Sequence, residues 1–308
     1  MLGLGLNRRR VAPRLREIRF TLRRLRSSPL SIAGMAIIAV FIAIAILAPV
    51  LAPPPDPNRP FNIPRDGFAS EPRPPSPQHI FGTAEGQYDI YYGVIWGTRT
   101  AFTIGIVVVG ASLLIGIILG SLSGYYGGLV DNILMRVTDV IFAFPGLILA
   151  VAFSVALGRS MESVMLAVTL VSWPTYARIL RGDILQVKQE TFVEASKTLG
   201  GSDYWIITRH ILPNAIYPLF IVATLDIGSI VLLAAALSFL GIGVPLGYAD
   251  WGQLISLARN WIVGPPNDPL KYWHTWTIPG LFILLFVLGW NLLGDAFRDI
   301  LDPKIRRR

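Results

Sequence analysis

The chain has no cysteine, so disulfides and thiolate metal sites are excluded. Its three histidines, His79, His210 and His274, lie far apart and share no ligand spacing, so no metal centre is expected. Charge is scarce as well. Asp, Glu, Lys and Arg make up 15% of the 308 residues, against about 25% in a soluble domain. Hydrophobic residues make up 53%, and the mean hydropathy is +0.56. That balance belongs to a membrane protein. No P-loop, zinc spacing, nucleophile elbow or internal repeat is visible. Gly241-Ile242-Gly243-Val244-Pro245-Leu246-Gly247 is rich in glycine, but Pro245 and the missing strand context argue against a phosphate cradle.

What is present is a series of long apolar runs. A helix crossing about 30 Å of hydrocarbon needs about 20 apolar residues. Six runs qualify: Ser31 to Ala52, Ala101 to Ser123, Ile133 to Leu157, Val164 to Leu180, Ile216 to Leu240 and Ile278 to Leu293. Pro145 interrupts the third, Pro174 lies inside the fourth, and Asp226 lies inside the fifth. The sixth can begin a few residues earlier, in Tyr272-Trp273-His274-Thr275-Trp276. Lipid offers the backbone no partners, so each span is expected to be helical. The expected fold is all-α and polytopic, with six transmembrane helices.

Arginine and lysine set the orientation. With the N-terminus inside, segments 1–30, 124–136, 178–215 and 294–308 hold 20 of the 27 basic residues. The positive-inside rule then puts both termini in the cytoplasm. The net charge of +8 is largely this topology signal, and no nucleic-acid partner is expected. The first span is read as a retained helix, since its apolar run exceeds the roughly 7–15 residues of a signal peptide core.

Between the spans the composition changes. Residues 13–28 place Leu15, Ile18, Leu22 and Leu25 on one helical face with arginines elsewhere, the pattern of an interfacial helix. Residues 53–79 are proline-rich and are expected to be an extended external loop. Residues 89–99 read as an interfacial helix leading into the second span. Asp131 follows the Gly124-Tyr125-Tyr126-Gly127-Gly128 turn and is placed to cap the third helix. Trp251 to Arg259 is amphipathic and is expected along the outer surface. The expected division is 1–94 (first span and external loop), 95–295 (five-helix core) and 296–308 (basic tail).

The most informative stretch is 178–213, a polar connection on the inner side. Ile184 to Leu199 is helical in composition, and Gly200-Gly201 breaks it. Ser202 or Asp203 can cap a second short helix from Tyr204 to His210, and Pro213 starts the return to the membrane. A short helix across the end of a bundle can be pushed as a rigid body, with the fifth span following.

Glu194-Ala195-Ser196, Gly200, Leu212 and Pro213 match the pattern E-A-A-x3-G-x9-I-x-L-P. On this motif the chain resembles the permeases of type I ABC importers. Ser196 stands for the second alanine, and His210 for the isoleucine. His210-Ile211-Leu212-Pro213-Asn214 resembles the peptide-transport branch, as do Ala143-Phe144-Pro145, Tyr176-Ala177-Arg178, Leu237-Ser238-Phe239-Leu240-Gly241 and Leu301-Asp302-Pro303. Phe81-Gly82-Thr83 also fits. It is followed by Ala84-Glu85-Gly86-Gln87-Tyr88 in place of the usual charged residues, and Ala234-Ala235-Ala236 lacks a usual Glu. Those departures bear on the substrate, since relatives of this branch also carry oligosaccharides and nickel chelates.

The resemblance implies a type I ABC importer transmembrane domain with a coupling loop at about 182–215. It implies a homologous permease as heterodimer partner, two ATPase subunits and an external solute-binding protein, all at the plasma membrane. The chain has no ATP site of its own, so it is expected to be non-catalytic, with no cofactor and with ATP and Mg held by the partners. Glu194 is expected to anchor the loop by hydrogen bonds, and Ala195, Ser196 and Gly200 to allow close packing and the turn. Tyr204, Trp205 and Ile206 are expected to touch the ATPase. Asp226 is a candidate for the substrate path, because a mid-span carboxylate costs about 2.5–3.5 kcal/mol to insert; its alternative is a helix–helix hydrogen bond. A secondary transporter or channel would show paired broken helices and more internal charge. An intramembrane enzyme would need clustered His, Asp or Glu.

Overall fold

The computed structural model describes residues 28–301. The expected interfacial helix at 13–28 and the basic tail from Asp302 onward lie outside those residues, apart from Ser28. Helix α1 (Pro29–Leu51) starts with proline in its first turn, where the missing N–H costs nothing. Helix α2 (Ile90–Tyr126) is continuous, so the expected interfacial helix and the second span are one element. Asp89 caps it by accepting from the Tyr92 N–H at 2.8 Å.

The third expected span is two helices, α3 (Gly128–Phe142) and α4 (Gly146–Leu157), bent by 92°. Pro145 has no N–H to donate and restricts the residue before it, which ends α3. Helix α5 (Met161–Val187) runs through Pro174 unbroken. Helices α9 (Tyr217–Phe239) and α11 (Trp273–Leu301) complete the apolar set. Among the described residues, five helices are long and apolar enough to cross a membrane, and the bent pair makes six if it is one span.

Asp131 does not cap α3, because Gly127 stands ahead of that helix. Its carboxylate accepts instead from Arg181 Nε and Nη2 at 2.5 and 2.6 Å, and from the Ser123 hydroxyl. Three elements, α2, α3 and α5, are thereby tied near one end of the bundle.

Lipid supplies no hydrophobic force between helices, so close packing must hold them. The α2–α5 seam shows how. Gly116, Gly120 and Gly124 recur every four residues and face Tyr176, Ala177, Leu180 and Ile184. A Cβ at Gly120 would lie 2.7 Å from the Ala177 carbonyl oxygen, and one at Gly124 would lie 2.8 Å from Ile184 Cγ2. This spacing is a small-residue stripe visible in the sequence.

At the opposite end, short helix α10 (Trp251–Leu257) does not lie on the surface. Trp251 is buried among Phe41, Phe282 and Phe286, and its indole N–H donates to the Val94 carbonyl at 3.1 Å. Nearby, Pro49 leaves the Ala45 carbonyl of α1 without its helical donor. Arg99 fills that vacancy, donating from Nε at 2.7 Å while stacking over Trp96. The proline-rich segment is extended, yet it is packed. Ile63 N–H donates to Gly247 O, Ala249 N–H to Phe61 O, and the Phe61 and Tyr248 rings stack at 5.3 Å. The Glu71 carboxylate accepts from Lys271 and Tyr272 at 2.7 Å each.

Candidate functional site

The connection between α5 and α9 folds as a chain of short helices. The expected helix 184–199 is broken: α5 ends at Val187, three residues turn, and α6 (Thr191–Thr198) begins. Gly200 follows at φ +80°, a conformation that only glycine adopts without strain. Its N–H donates to Lys197 O at 2.9 Å and the Gly201 N–H to Ser196 O at 3.0 Å, which is a complete Schellman cap.

Ser202 then caps α7 (Asp203–Ile206), its hydroxyl accepting from the Trp205 N–H at 3.4 Å. A π-helical turn (Ile207–Ile211) and α8 (Leu212–Ala215) lead to α9. The expected second helix is present, but its last turn is widened around Arg209 and His210. Such widened turns are rare and frequent at functional sites. Pro213 lies in α8, and the final helix starts at Tyr217 with Pro218 in its first turn.

The side chains sort into two faces. Ile206 and Ile211 are fully buried in the main core with Val193. Ile206 therefore anchors α7 and does not present a surface. Tyr204 is 79% exposed, Trp205 47% and Leu199 88%. The Trp205 ring meets the half-buried His210 ring edge-on at 4.5 Å, which fixes its direction. Ser196 is buried, and its hydroxyl donates to Phe192 O at 2.9 Å. Ala195 is exposed, and so is Glu194, whose carboxylate makes no hydrogen bond among the described residues. Neither the close packing expected of Ala195 nor the internal anchoring expected of Glu194 is found. Both face outward. Leu212 is half-buried, Pro213 exposed.

Asp203 reaches back to the spans. Its carboxylate accepts from the Tyr125 hydroxyl at 2.5 Å, across 78 residues of sequence. Lys188 donates to the Tyr125 carbonyl. No local pattern pairs Tyr125 with Asp203, so the junction is invisible in the sequence. A cavity of about 540 Å³ beside it is lined by Leu185, Lys188, Gln189, Glu194 and Lys197. Burial, with the charge of Lys197, holds the Lys188 ammonium below its usual pKa.

Asp226 lies mid-way along α9 and is half-buried. Its neighbour is Tyr176 of α5, a fully buried phenol close enough to interact with it. The hydroxyl forms no well-shaped hydrogen bond.

The described residues thus form a polytopic helical bundle that carries an anchored loop with an exposed apolar face. Residues 116–307 match the family described as binding-protein-dependent transport system inner membrane component, and residues 18–66 match the N-terminal TM domain of oligopeptide transport permease C. The chain belongs to the binding-protein-dependent transport system inner membrane component family. It is 40% identical to the "Probable D,D-dipeptide transport system permease protein DdpC" of Escherichia coli (strain K12), over 91% of this chain and 89% of that one. It is 35% identical to a dipeptide transport system permease protein of Alkalihalophilus pseudofirmus, over 92% and 89%. The oligopeptide transport system permease protein of Bacillus subtilis (strain 168) is 34% identical, over 92% and 88%. The fold is shared with the MetNI methionine ABC transporter in inward-facing form, at TM-score 0.54 and 17% identity over 68% of this chain and 96% of that one. An amino acid ABC transporter with histidines gives TM-score 0.51 and 17% identity, over 70% and 94%.

Proposed function

We propose that this chain is a permease subunit of an ATP-driven importer at the plasma membrane, forming half of the path for di- or oligopeptides. The observation that carries the reading is the loop. Tyr204 and Trp205 are exposed on α7 and Leu199 at the end of α6, while Ile206 of α7 and Ile211 of the π-helical turn are locked into the core. An apolar surface on a rigid lever suits docking into a cleft of an ATPase subunit. Glu194, Ala195, Ser196, Gly200, Ser202, Asp203, His210, Leu212 and Pro213 shape or present that lever.

The partners are a homologous permease, two ATPase subunits that hold ATP and Mg, and an external solute-binding protein. The chain itself is non-catalytic. Peptide is the favoured cargo because the relatives above are named for dipeptide and oligopeptide transport. Asp226 is assigned to the solute path.

The test is reconstitution in proteoliposomes with the cognate partners. Binding protein loaded with peptide should stimulate ATP hydrolysis, and Trp205→Ala should abolish the stimulation. A complex whose ATPase ignores the loaded binding protein would overturn the reading. Mass spectrometry of solute carried by the cognate binding protein decides the cargo. If Asp226→Asn changes neither apparent affinity nor rate for that solute, its place in the path is lost.

A further inference from the structure

We propose that Tyr125 is the positioning residue through which the coupling loop grips the spans, so that the loop, α2 and α5 move as one body. The proposal rests on the loop having the function given above. Tyr125 is the penultimate residue of α2, immediately before the chain breaks at Gly127, and it is 5% exposed. Three separate segments of the connection converge on it. From α7, Asp203 accepts its hydroxyl at 2.5 Å. From the end of α5, Lys188 donates to its carbonyl and places its ammonium 5.5 Å from the ring centroid. From α6, Lys197 places its ammonium 5.3 Å from the same centroid.

Each contact is of a kind strengthened by partial burial: one hydrogen bond to a carboxylate, and two cations held against an aromatic ring. Two lysines lie close to one ring, and burial first, then the charge of Lys197, lowers the affinity of Lys188 for its proton. They stay there because the ring and the Tyr125 carbonyl hold them. Neighbouring residues extend the grip. Gly124 sits against Ile184 of α5, and Ser123 joins the Asp131–Arg181 pair. A push on α7 therefore reaches the end of α2 through Asp203 and the end of α5 through Lys188, with little slack. Tyr126, next in sequence, is 50% exposed, meets the Tyr125 ring edge-on at 5.2 Å and makes no side-chain hydrogen bond among the described residues.

The experiment uses the full complex in proteoliposomes. The absence of native cysteine allows paired spin labels at Tyr126→Cys and Leu199→Cys without background. With Tyr125 intact, the label distance should be the same in nucleotide-free and ATP-bound states. In Tyr125→Phe, which keeps the ring and loses the hydroxyl, the distance should broaden or shift on ATP binding. ATP consumed per solute imported should rise about tenfold, the scale set by losing one hydrogen bond to a charged acceptor. Asp203→Asn should behave alike, and the double variant should be no worse than either single one. Asp203→Asn alone also serves if Tyr125→Phe does not assemble. Tyr126→Phe should match the native protein. A purely structural tyrosine would lower complex yield and leave the ratio and distances unchanged, and that result overturns the proposal. If the native complex shows no solute-stimulated ATPase at all, the functional reading fails first and takes the inference with it. If native stimulation is present and Tyr125→Phe retains the native ratio, only the inference fails.

Discussion

Substituting Gly120 by alanine tests whether the α2–α5 seam is held by backbone proximity. The added Cβ would stand 2.7 Å from the Ala177 carbonyl oxygen and 3.2 Å from both Ala177 Cα and Leu180 Cβ. Ordinary contact needs about 0.7 Å more at the oxygen. Ala177 O and Cα are backbone atoms, so no rotamer change relieves the clash and α5 itself must shift. Overpacking of this kind costs about 1–3 kcal/mol. Gly110 lies on the same helix, and a Cβ there would meet nothing within 4 Å. Gly110→Ala gains only helix propensity, at most about 1 kcal/mol. Gly120→Ala makes the same propensity gain, so the two variants should differ by the packing cost, about 1–3 kcal/mol in stability. The assay is thermal unfolding of the purified protein in one detergent, followed by the fraction that remains monodisperse. Gly120→Ala should melt clearly below the native protein, and Gly110→Ala at or above it. Equal melting temperatures for the two variants would refute the close-packing argument.

Other substitutions probe the loop, the membrane interior and the outer face. Gly200→Val forces a β-branched residue to φ +80°, at a cost of about 1–2 kcal/mol. It should open the Schellman turn and reduce solute-stimulated ATP hydrolysis more than basal hydrolysis, measured side by side. Arg99→Met strands the Ala45 carbonyl that Pro49 leaves unpaired and should cost about 1–3 kcal/mol. In a Pro49→Ala background the restored N–H can serve that carbonyl, so the same change should cost less; equal costs in the two backgrounds would refute the pairing. Asp250 caps α10 and is buried, and burial pushes its pKa up from 3.8 to about 6 against the opposing hydrogen bonds from Gln253, Ser238 and Gly252. A raised carboxyl pKa favours the folded state fully below 3.8, and that contribution is lost as pH rises through 6. The whole swing is at most about 3 kcal/mol. Melting followed from pH 7 down to 4.5 should show this component, and Asp250→Asn, which keeps the cap, should remove it.

The sequence by itself determined the class, the spans and the lever. Scarce charge and long apolar runs can only be satisfied in lipid, and both are properties of composition along the chain. Gly200, Ser202 and the proline breaks are local instructions too, because φ preference and capping act within a turn of the residue that carries them. Even so, the third span was read as one helix although Pro145 marked its 92° bend. The stripe Gly116, Gly120, Gly124 stood in plain view without showing which helix it would meet.

Only the tertiary structure decided which partners face each other. It turned Ile206 inward, left Glu194 facing outward, sank Trp251 into the bundle and gave Asp131 to Arg181. It also brought Asp203 to Tyr125 and Arg99 to the carbonyl freed by Pro49. Hydropathy states that a residue avoids water or lipid. It does not state which side chain 40 or 80 residues away arrives to pair with it, and that depends on how whole helices pack.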